Sequence, residues 1–414
     1  MKTRISILLL ASAGVVTTAS ADNSAQQSQP SSLEQIVAQS QADFPQCLFR
    51  LQELARSEGL DEELIHQSLA TSKFVPRVIE LDRAQPEFSQ TFGDYLNKRV
   101  TTKRIEQGRL LYKEHRALLD KLAQQYGIPP QYLLAFWGLE TNFGSYKGKM
   151  PVLDSLATLA CEPRRSSYFT QELMQALRIQ QKFGIDNRQM VGSWAGAMGH
   201  TQFMPSAYLH YAKDGNGDGN INLWNSSDDA LTSAAYFLQS LGWQRNQRWG
   251  REIKLPDNFD FQLLGAKQRQ PLSQWASLGV TQADGTPLAK VDMEAAIYLP
   301  AGHQGPAFIA YDNFEVIQKW NRSIFYAIAV GHLADRINGA GHLVTPAPEQ
   351  ARLSRAQLTQ MQQQLAKLGY DVGKPDGVFG RKSKAALQAF QLKQGLVADG
   401  FPHQTSLDAL GIVN

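Results

Sequence analysis

Apolar residues recur at helical spacing through most of the first 240 positions. Ile36, Val37, Leu48, Leu51, Leu54 and Ala55 fall near a 3.6-residue period, and so do Leu110, Leu111, Leu118, Leu119 and Leu122. From Leu33 to about Gly242 the pattern therefore predicts helices, with little strand signal. Over 243–314 the character changes. REIKLP, KVDMEAAIYLP and PAFIAYDNF are short, partly alternating and bounded by Pro and Gly, which predicts a small strand-rich insertion. Residues 321–338 return to a helix, with Ile324, Ile328 and Leu333 on one side. The two prolines of TPAPEQ, 345–350, then mark an interdomain linker. Beyond it LTQMQQQLAKLGY is amphipathic, and a loose repeat follows. Asp376-Gly377 stands eleven residues before Leu387, and Asp399-Gly400 stands eleven before Leu410. Each pair reads as a tight turn feeding a short helix, so 353–414 is predicted to be a three-helix module.

The first 21 residues stand apart from this pattern. Lys2 and Arg4 precede an apolar run from Ile5 to Val16, and Ala19-Ser20-Ala21 supplies the small residues of a cleavage site. This predicts a secretory signal cleaved after Ala21, with a mature chain exported to the periplasm. No cysteine lies near that site to take a lipid, and no later segment is apolar enough to span a bilayer. Cys47 and Cys161 are the only thiols of the 414 residues, too few for a disulfide scaffold or a four-thiolate zinc site. An oxidising compartment permits the two to pair, and two buried free thiols are the alternative.

Charge adds little until the chain is divided. The formal net charge of +3 gives no basic field of the kind that nucleic-acid binders show. Without residues 1–21 the balance is 39 basic against 38 acidic residues; 22–349 carries −3 and 350–414 carries +4. A basic tail suits an anionic partner.

The chemistry concentrates in three segments. In YGIPPQYLLAFWGLETNFG (126–144), Pro129 and Pro130 suit a helix start, and Gly144 suits the end of the segment. Leu133, Phe136, Trp137 and Glu140 fall at i, i+3, i+4 and i+7, which sets the Glu140 carboxylate on an apolar face near the negative pole of the helix. Burial and that pole both disfavour its ionised form, as a general acid for a glycosidic oxygen requires. VGSWAGAMGHTQFMPSAY (191–208) combines Gly192, Gly196 and Gly199 with Ser193, Gln202 and Tyr208. Such glycines let backbone approach a ligand, while the polar groups suit sugar hydroxyls and amides.

The third segment, DGNGDGNINLWNSSDD (214–229), has the pattern of a calcium loop. Asp214, Asn216 and Asp218 occupy positions 1, 3 and 5, Gly219 position 6 and Asn220 position 7. Asn225 stands at position 12, where an EF-hand has Glu. Asp228 is positioned to supply that carboxylate through a longer loop; otherwise it caps the next helix. A structural calcium ion is expected here, with no cofactor for catalysis.

These three segments, in this order, resemble the B family of lytic murein transglycosylases, periplasmic enzymes that cut peptidoglycan glycan strands. The resemblance covers most of 33–340, and GLETNFG and SWAGAMGHTQFMPSAY are its most specific parts. It implies a mainly α fold: a lysozyme-like helical catalytic domain over 22–344 with a small strand-containing insertion and an EF-hand-like calcium loop. Residues 353–410, with DGVFG, resemble the small peptidoglycan-binding module of secreted wall enzymes, joined by a linker at 345–352. By the resemblance Glu140 is the single catalytic acid/base, and Tyr95, Ser193, Gln202 and Asn321 bind substrate. Trp320 stands where a tyrosine is expected and is assigned no role. Asp214, Asn216, Asp218, Asn220 and Asp228 match the metal ligands.

The implied reaction cleaves the β-1,4 bond between N-acetylmuramic acid and N-acetylglucosamine without water, leaving 1,6-anhydromuramyl ends. The expected partner is the glycan strand, with neither nucleic acid nor a membrane span. Two rival readings remain at this level. One is a hydrolytic muramidase in which Asp154 or Glu162 partners Glu140; the other is a non-catalytic wall-binding protein. The sequence is silent on other cell-wall enzymes as partners.

Overall fold

The computed structural model describes residues 32–84 and 90–412. The signal expected at 1–21 lies outside these residues. Two helical cores dominate the body. The first surrounds the helix Pro130–Thr141, which packs on Ile324–Ile337 and on Thr102–Glu114. The sequence places a helix within 126–144 with one apolar face through Leu133, Phe136, Trp137 and Glu140, but every residue from Tyr132 to Leu139 is buried. A helix apolar on all sides belongs in an interior, and here it holds the centre of its core.

The second core gathers around Val152–Ala160 and Ser166–Phe183, with the N-terminal helix Ser32–Ser57 against them. Cys47 and Cys161 are joined in a disulfide, with Cα atoms 5.8 Å apart, which ties Ser32–Ser57 to the end of Val152–Ala160. Trp320 packs against both cores. Strands β1 (Met150–Pro151) and β2 (Val191–Gly192) form a short antiparallel pair that starts the glycine-rich segment.

The strand-rich insertion is a five-stranded antiparallel sheet. Its strands are β3 (Gly250–Lys254), β4 (Gln270–Pro271), β5 (Thr281–Gln282), β6 (Glu294–Tyr298) and β7 (Ala307–Ala310), in the order β4-β6-β7-β3-β5. One face covers a core of its own that includes Trp275, Leu272 and Ile297. The sheet ends sooner than the sequence pattern suggests. Residues after Tyr311 form the helix Asp312–Trp320, whose acidic first turn at Asp312 and Glu315 complements the positive pole of a helix. The helix read over 321–338 begins only at Ile324, because Asn321 is extended and Ser323 caps the new start through the Tyr326 N–H.

The module has three helices, Arg355–Lys367, Arg381–Lys393 and Gln404–Ala409, around Met361, Leu365, Leu387, Phe390 and Leu407. Its sequence repeat is a repeat of hydrogen bonds. Buried Gln362 accepts from the Gly377 N–H at 2.8 Å and donates to Val378 O and Ser383 Oγ. Buried Gln391 does the same with the Gly400 N–H, Phe401 O and Ser406 Oγ. Each Asp-Gly turn is thus read by one glutamine and closed on one serine.

Candidate active site

Glu140 is the penultimate residue of Pro130–Thr141, with Pro129 as N-cap and Pro130 in the first turn. The helix stops three residues before Gly144, because Asn142 and Phe143 both take left-handed conformations (φ 48° and 59°). Gly144 follows at φ 80°, and a Cβ there would lie 2.2 Å from the His200 ring. Only glycine lets the chain turn against that imidazole. The contact is reinforced from both sides. Trp137 Nε1 donates to His200 Nδ1 at 2.9 Å, and Thr141 Oγ1 donates to His200 O at 2.7 Å. Burial, then the nearby Lys147 charge, lowers the His200 pKa to about 4, so the ring stays neutral and able to accept.

The carboxylate of Glu140 meets two donors on one oxygen. Tyr326 Oη donates to Oε1 at 2.5 Å and Trp320 Nε1 donates at 2.9 Å. Burial raises the Glu140 pKa, while the bonds from Tyr326 and Trp320 and the charge of Arg99 oppose that rise without cancelling it. Tyr326 is pushed well above an ordinary tyrosine by its own burial and by Glu140 and Tyr95, so it remains a donor. Among the described residues, the groups acting on Glu140 are Tyr326, Trp320 and Arg99, none of them a carboxylate. Asp154 instead accepts from the Lys73 N–H, and Glu162 pairs with Arg83 and accepts from the Arg164 N–H.

Trp320 connects Glu140 to the glycine-rich segment. Its ring lies 4.6 Å from Phe136, 5.4 Å from Phe203 and 5.2 Å from Phe237 between centroids. Phe203 adjoins Gln202, whose backbone is left-handed (φ 51°) and whose Nε2 donates to Lys147 O and Gly199 O. Its Oε1 is not engaged by those bonds. Ser193 closes a tight loop on Ala197, donating its backbone N–H to Ala197 O and accepting from the Ala197 N–H through Oγ. Asn321 follows Trp320 directly; it is exposed, and its Oδ1 caps the Ser323 N–H. Tyr95, buried on the helix Phe92–Arg99, sits 5.9 Å from the Phe325 ring with the Arg99 guanidinium over its face.

Two of the residues that hold Glu140 are absent from the sequence-derived set. Trp320 was assigned no role there and is a direct donor. Tyr326 was not singled out at all, although the aromatic content of KWNRSIFYA was its one available signal. Beside the site runs a cleft of about 400 Å³ lined in part by Lys147, Lys149, Arg188, Gln189 and Trp224, which extends the surface past the glycine-rich segment.

The loop at 214–220 is closed by hydrogen bonds from its own backbone to its acidic and amide side chains. Asp214 accepts from the Gly217 and Gly219 N–H groups at 2.7 and 2.8 Å, and Asp218 accepts from the Asn220 N–H at 2.7 Å. Asp228 does not cap the following helix. Ser226 does, accepting from the Asp229 N–H, and the Asp228 backbone lies against Gly215. Sequence reasoning passed over Asp229. It is buried, and its two oxygens accept from the Gly215 and Asn222 N–H groups at 2.9 and 2.8 Å, clamping both arms of the loop. Asp214, Asn216 and Asp218 carry side-chain oxygens on this turn, hard donors of the kind that calcium takes, and Asn220 holds the position that ligates through a backbone carbonyl.

Comparison with known proteins agrees with this geometry. Residues 43–335 match the Transglycosylase SLT domain family, and 354–410 match a family of peptidoglycan binding domains. The chain is 31% identical over 311 residues to membrane-bound lytic murein transglycosylase B of Escherichia coli (strain K12), covering 72% of this chain and 83% of that one. The structure is similar to SltB3 from Pseudomonas aeruginosa in complex with NAG-anhNAM-pentapeptide, with a TM-score of 0.85 and 40% identity, over 89% of this chain and 99% of that one. It is also similar to the Escherichia coli lytic transglycosylase Slt35 in complex with calcium, with a TM-score of 0.62 and 30% identity, over 70% and 92% of the two chains. The half-buried, aromatic-bound glutamate therefore lies in a chain that belongs to the Slt35-type lytic murein transglycosylases, enzymes acting on peptidoglycan, and that carries a C-terminal peptidoglycan-binding domain.

Proposed function

We propose that Glu140 is the single acid/base of this transglycosylase and that it cuts between N-acetylmuramic acid and N-acetylglucosamine. The observation that carries the reading is a raised-pKa glutamate held by Tyr326 and Trp320, with Asp154 and Glu162 committed elsewhere. Protonated Glu140 gives its proton to the leaving oxygen as oxocarbenium character develops at C1. The C1–O bond breaks, and the same residue, now a carboxylate, takes the proton from the muramyl 6-hydroxyl. That oxygen closes on C1, so the product is a 1,6-anhydro ring and the glutamic acid is regenerated. Participation of the substrate N-acetyl group replaces a second carboxylate. Tyr95, Ser193, Gln202 and Asn321 orient the sugars through neutral hydrogen bonds.

Asp214, Asn216, Asp218, Asn220 and Asp228 would hold a calcium ion whose contribution is structural, since it lies on a loop separate from the groups around Glu140. The complex of the related Slt35 with calcium supports this choice of ion. The catalytic domain spans 22–344, the linker 345–352 and the wall-binding module 353–414. Export to the periplasm rests on the pattern of 1–21 and on membership of a cell-wall family. Among the described residues no helix is long and apolar enough to cross a membrane.

The decisive variant is Glu140→Gln, assayed on purified sacculi with mass spectrometry of the soluble products. Loss of a general acid lowers turnover by about 10²–10⁴-fold, while binding to sacculi stays at the wild-type level. The wild-type products carry anhydromuramyl ends. Undiminished cleavage by the variant, or reducing ends from the wild type, overturns the reading.

A further inference from the structure

The body and the module meet at a cluster that glycan cleavage does not use. The loop between β6 and β7 carries His303, and the second Asp-Gly turn of the module carries Asp399 and, four residues on, His403. The Asp399 side chain has no exposed surface. Its Oδ2 faces the His303 backbone N–H at 2.8 Å, His303 Nδ1 at 2.8 Å and His403 Nε2 at 2.7 Å. Its Oδ1 accepts from the Phe401 N–H. The two imidazoles are 4.5 Å apart between centroids, and a Cβ on Gly302 would lie 2.6 Å from the His403 ring.

The module supplies an internal control. Its first turn has the same glutamine, glycine and serine frame, and Asp376 accepts from the Val378 N–H as Asp399 does from Phe401. At the position equivalent to His403, however, the first turn has Gly380. The histidine is therefore no requirement of the turn. It appears only where the turn faces His303.

Two imidazole nitrogens and a carboxylate oxygen all lie within 4.8 Å of one another, one from the body and two from the module. We propose that His303, Asp399 and His403 bind a divalent transition-metal ion, with zinc the best match to the donor set, and that the ion pins the module to the body. Two histidines and one carboxylate, with a fourth position left for water, form an established zinc donor set. His303 is 28% exposed and His403 11%, so the fourth position opens past the His303 edge. With the ion bound, each ring would offer the nitrogen that now faces Asp399 as a lone pair and carry its proton on the other nitrogen. The site is separate from the hard-oxygen loop at 214–228.

The test uses the full mature chain, stripped with chelator and resupplied with saturating calcium. Zinc alone is then titrated against a chromogenic competitor. The wild type takes up one equivalent, and zinc slows proteolysis of the 345–352 linker. His303→Ala leaves every residue of the module intact, yet weakens zinc binding by at least about 10–100-fold and removes the protection of the linker. His403→Ala does the same, with thermal unfolding of each variant showing that it is folded. Absence of stoichiometric uptake by the wild type, or wild-type affinity in folded His303→Ala, overturns the proposal.

Discussion

The ionisation of Glu140 is set by opposing contacts, and each can be moved separately. Burial raises its pKa, while donation from Tyr326 and Trp320 stabilises the carboxylate and lowers it. Tyr326→Phe removes the larger of those two bonds, so the Glu140 pKa rises further. Activity requires the protonated acid at the start, so it falls as pH increases through that pKa. The alkaline limb of the pH–rate profile should therefore shift to higher pH in Tyr326→Phe, while the plateau falls. An alkaline limb that moves to lower pH, or does not move, contradicts this account of the site. The same sign governs stability. A carboxyl whose folded pKa exceeds its unfolded one disfavours the native state as pH rises through the folded value. Glu140→Gln should accordingly gain Tm relative to the wild type at neutral pH and lose that advantage in acid. Glu140 was legible in the sequence because helical spacing put it among aromatics. Tyr326 was not, because it reaches Glu140 across 186 positions, a contact that no local period records.

At the level of elements, the 214–229 segment separates the surface acids offered to the proposed calcium ion from a clamp that the chain makes by itself. Asp214 and Asp218 organise the turn but remain on the surface, whereas buried Asp229 clamps it through two backbone N–H groups. Saturating calcium should raise Tm, since a ligand at 100 times its Kd adds about 2.7 kcal/mol. Asp214→Ala should abolish that rise and change the calcium-free Tm little. Asp229→Ala should cost about 2 kcal/mol even in chelator, because it strands two half-buried donors. Scanning calorimetry with and without calcium distinguishes the two, and equal behaviour of both variants would sink the division. The turn itself was readable from composition and spacing, since its Asp-Gly and Asn-Gly steps are local. The clamp was not, because Asp229 looks like any acidic first-turn residue until its partners fold back onto it. The helix Asp312–Trp320 was hidden in the same way: AYDNF alternates like a strand, and the buried pair Phe314 and Ile317 becomes a helical face only against the core.

Across the whole molecule, the proposed site depends on two cores staying in register. Glu140, Tyr326 and Tyr95 belong to one; Ser193 and Gln202 ride on the segment attached to the other; Trp320 packs on both. The second core is the one that the Cys47–Cys161 disulfide closes, across 114 positions of sequence. A loop of that length restricts the unfolded chain by about 4–5 kcal/mol in the loop-entropy account. The native packing around it, with Phe44, Leu48 and Leu159 buried, needs no covalent help to form. The double variant Cys47→Ser, Cys161→Ser should therefore fold and cleave sacculi at near wild-type rate at 25 °C. Its Tm should nevertheless fall by roughly 10 °C, at about 2–4 °C per kcal/mol for a domain of a few hundred residues. The temperature of thermal inactivation should fall by the same amount, because losing the second core carries Ser193 and Gln202 away from Glu140. The module, with its separate core of Met361, Leu387 and Phe390, should keep its sacculus binding to the wild-type temperature. Calorimetry paired with activity and binding measured against temperature reads all three. A Tm unchanged by the double substitution would mean that the bridge records the oxidising compartment without holding the cleft together.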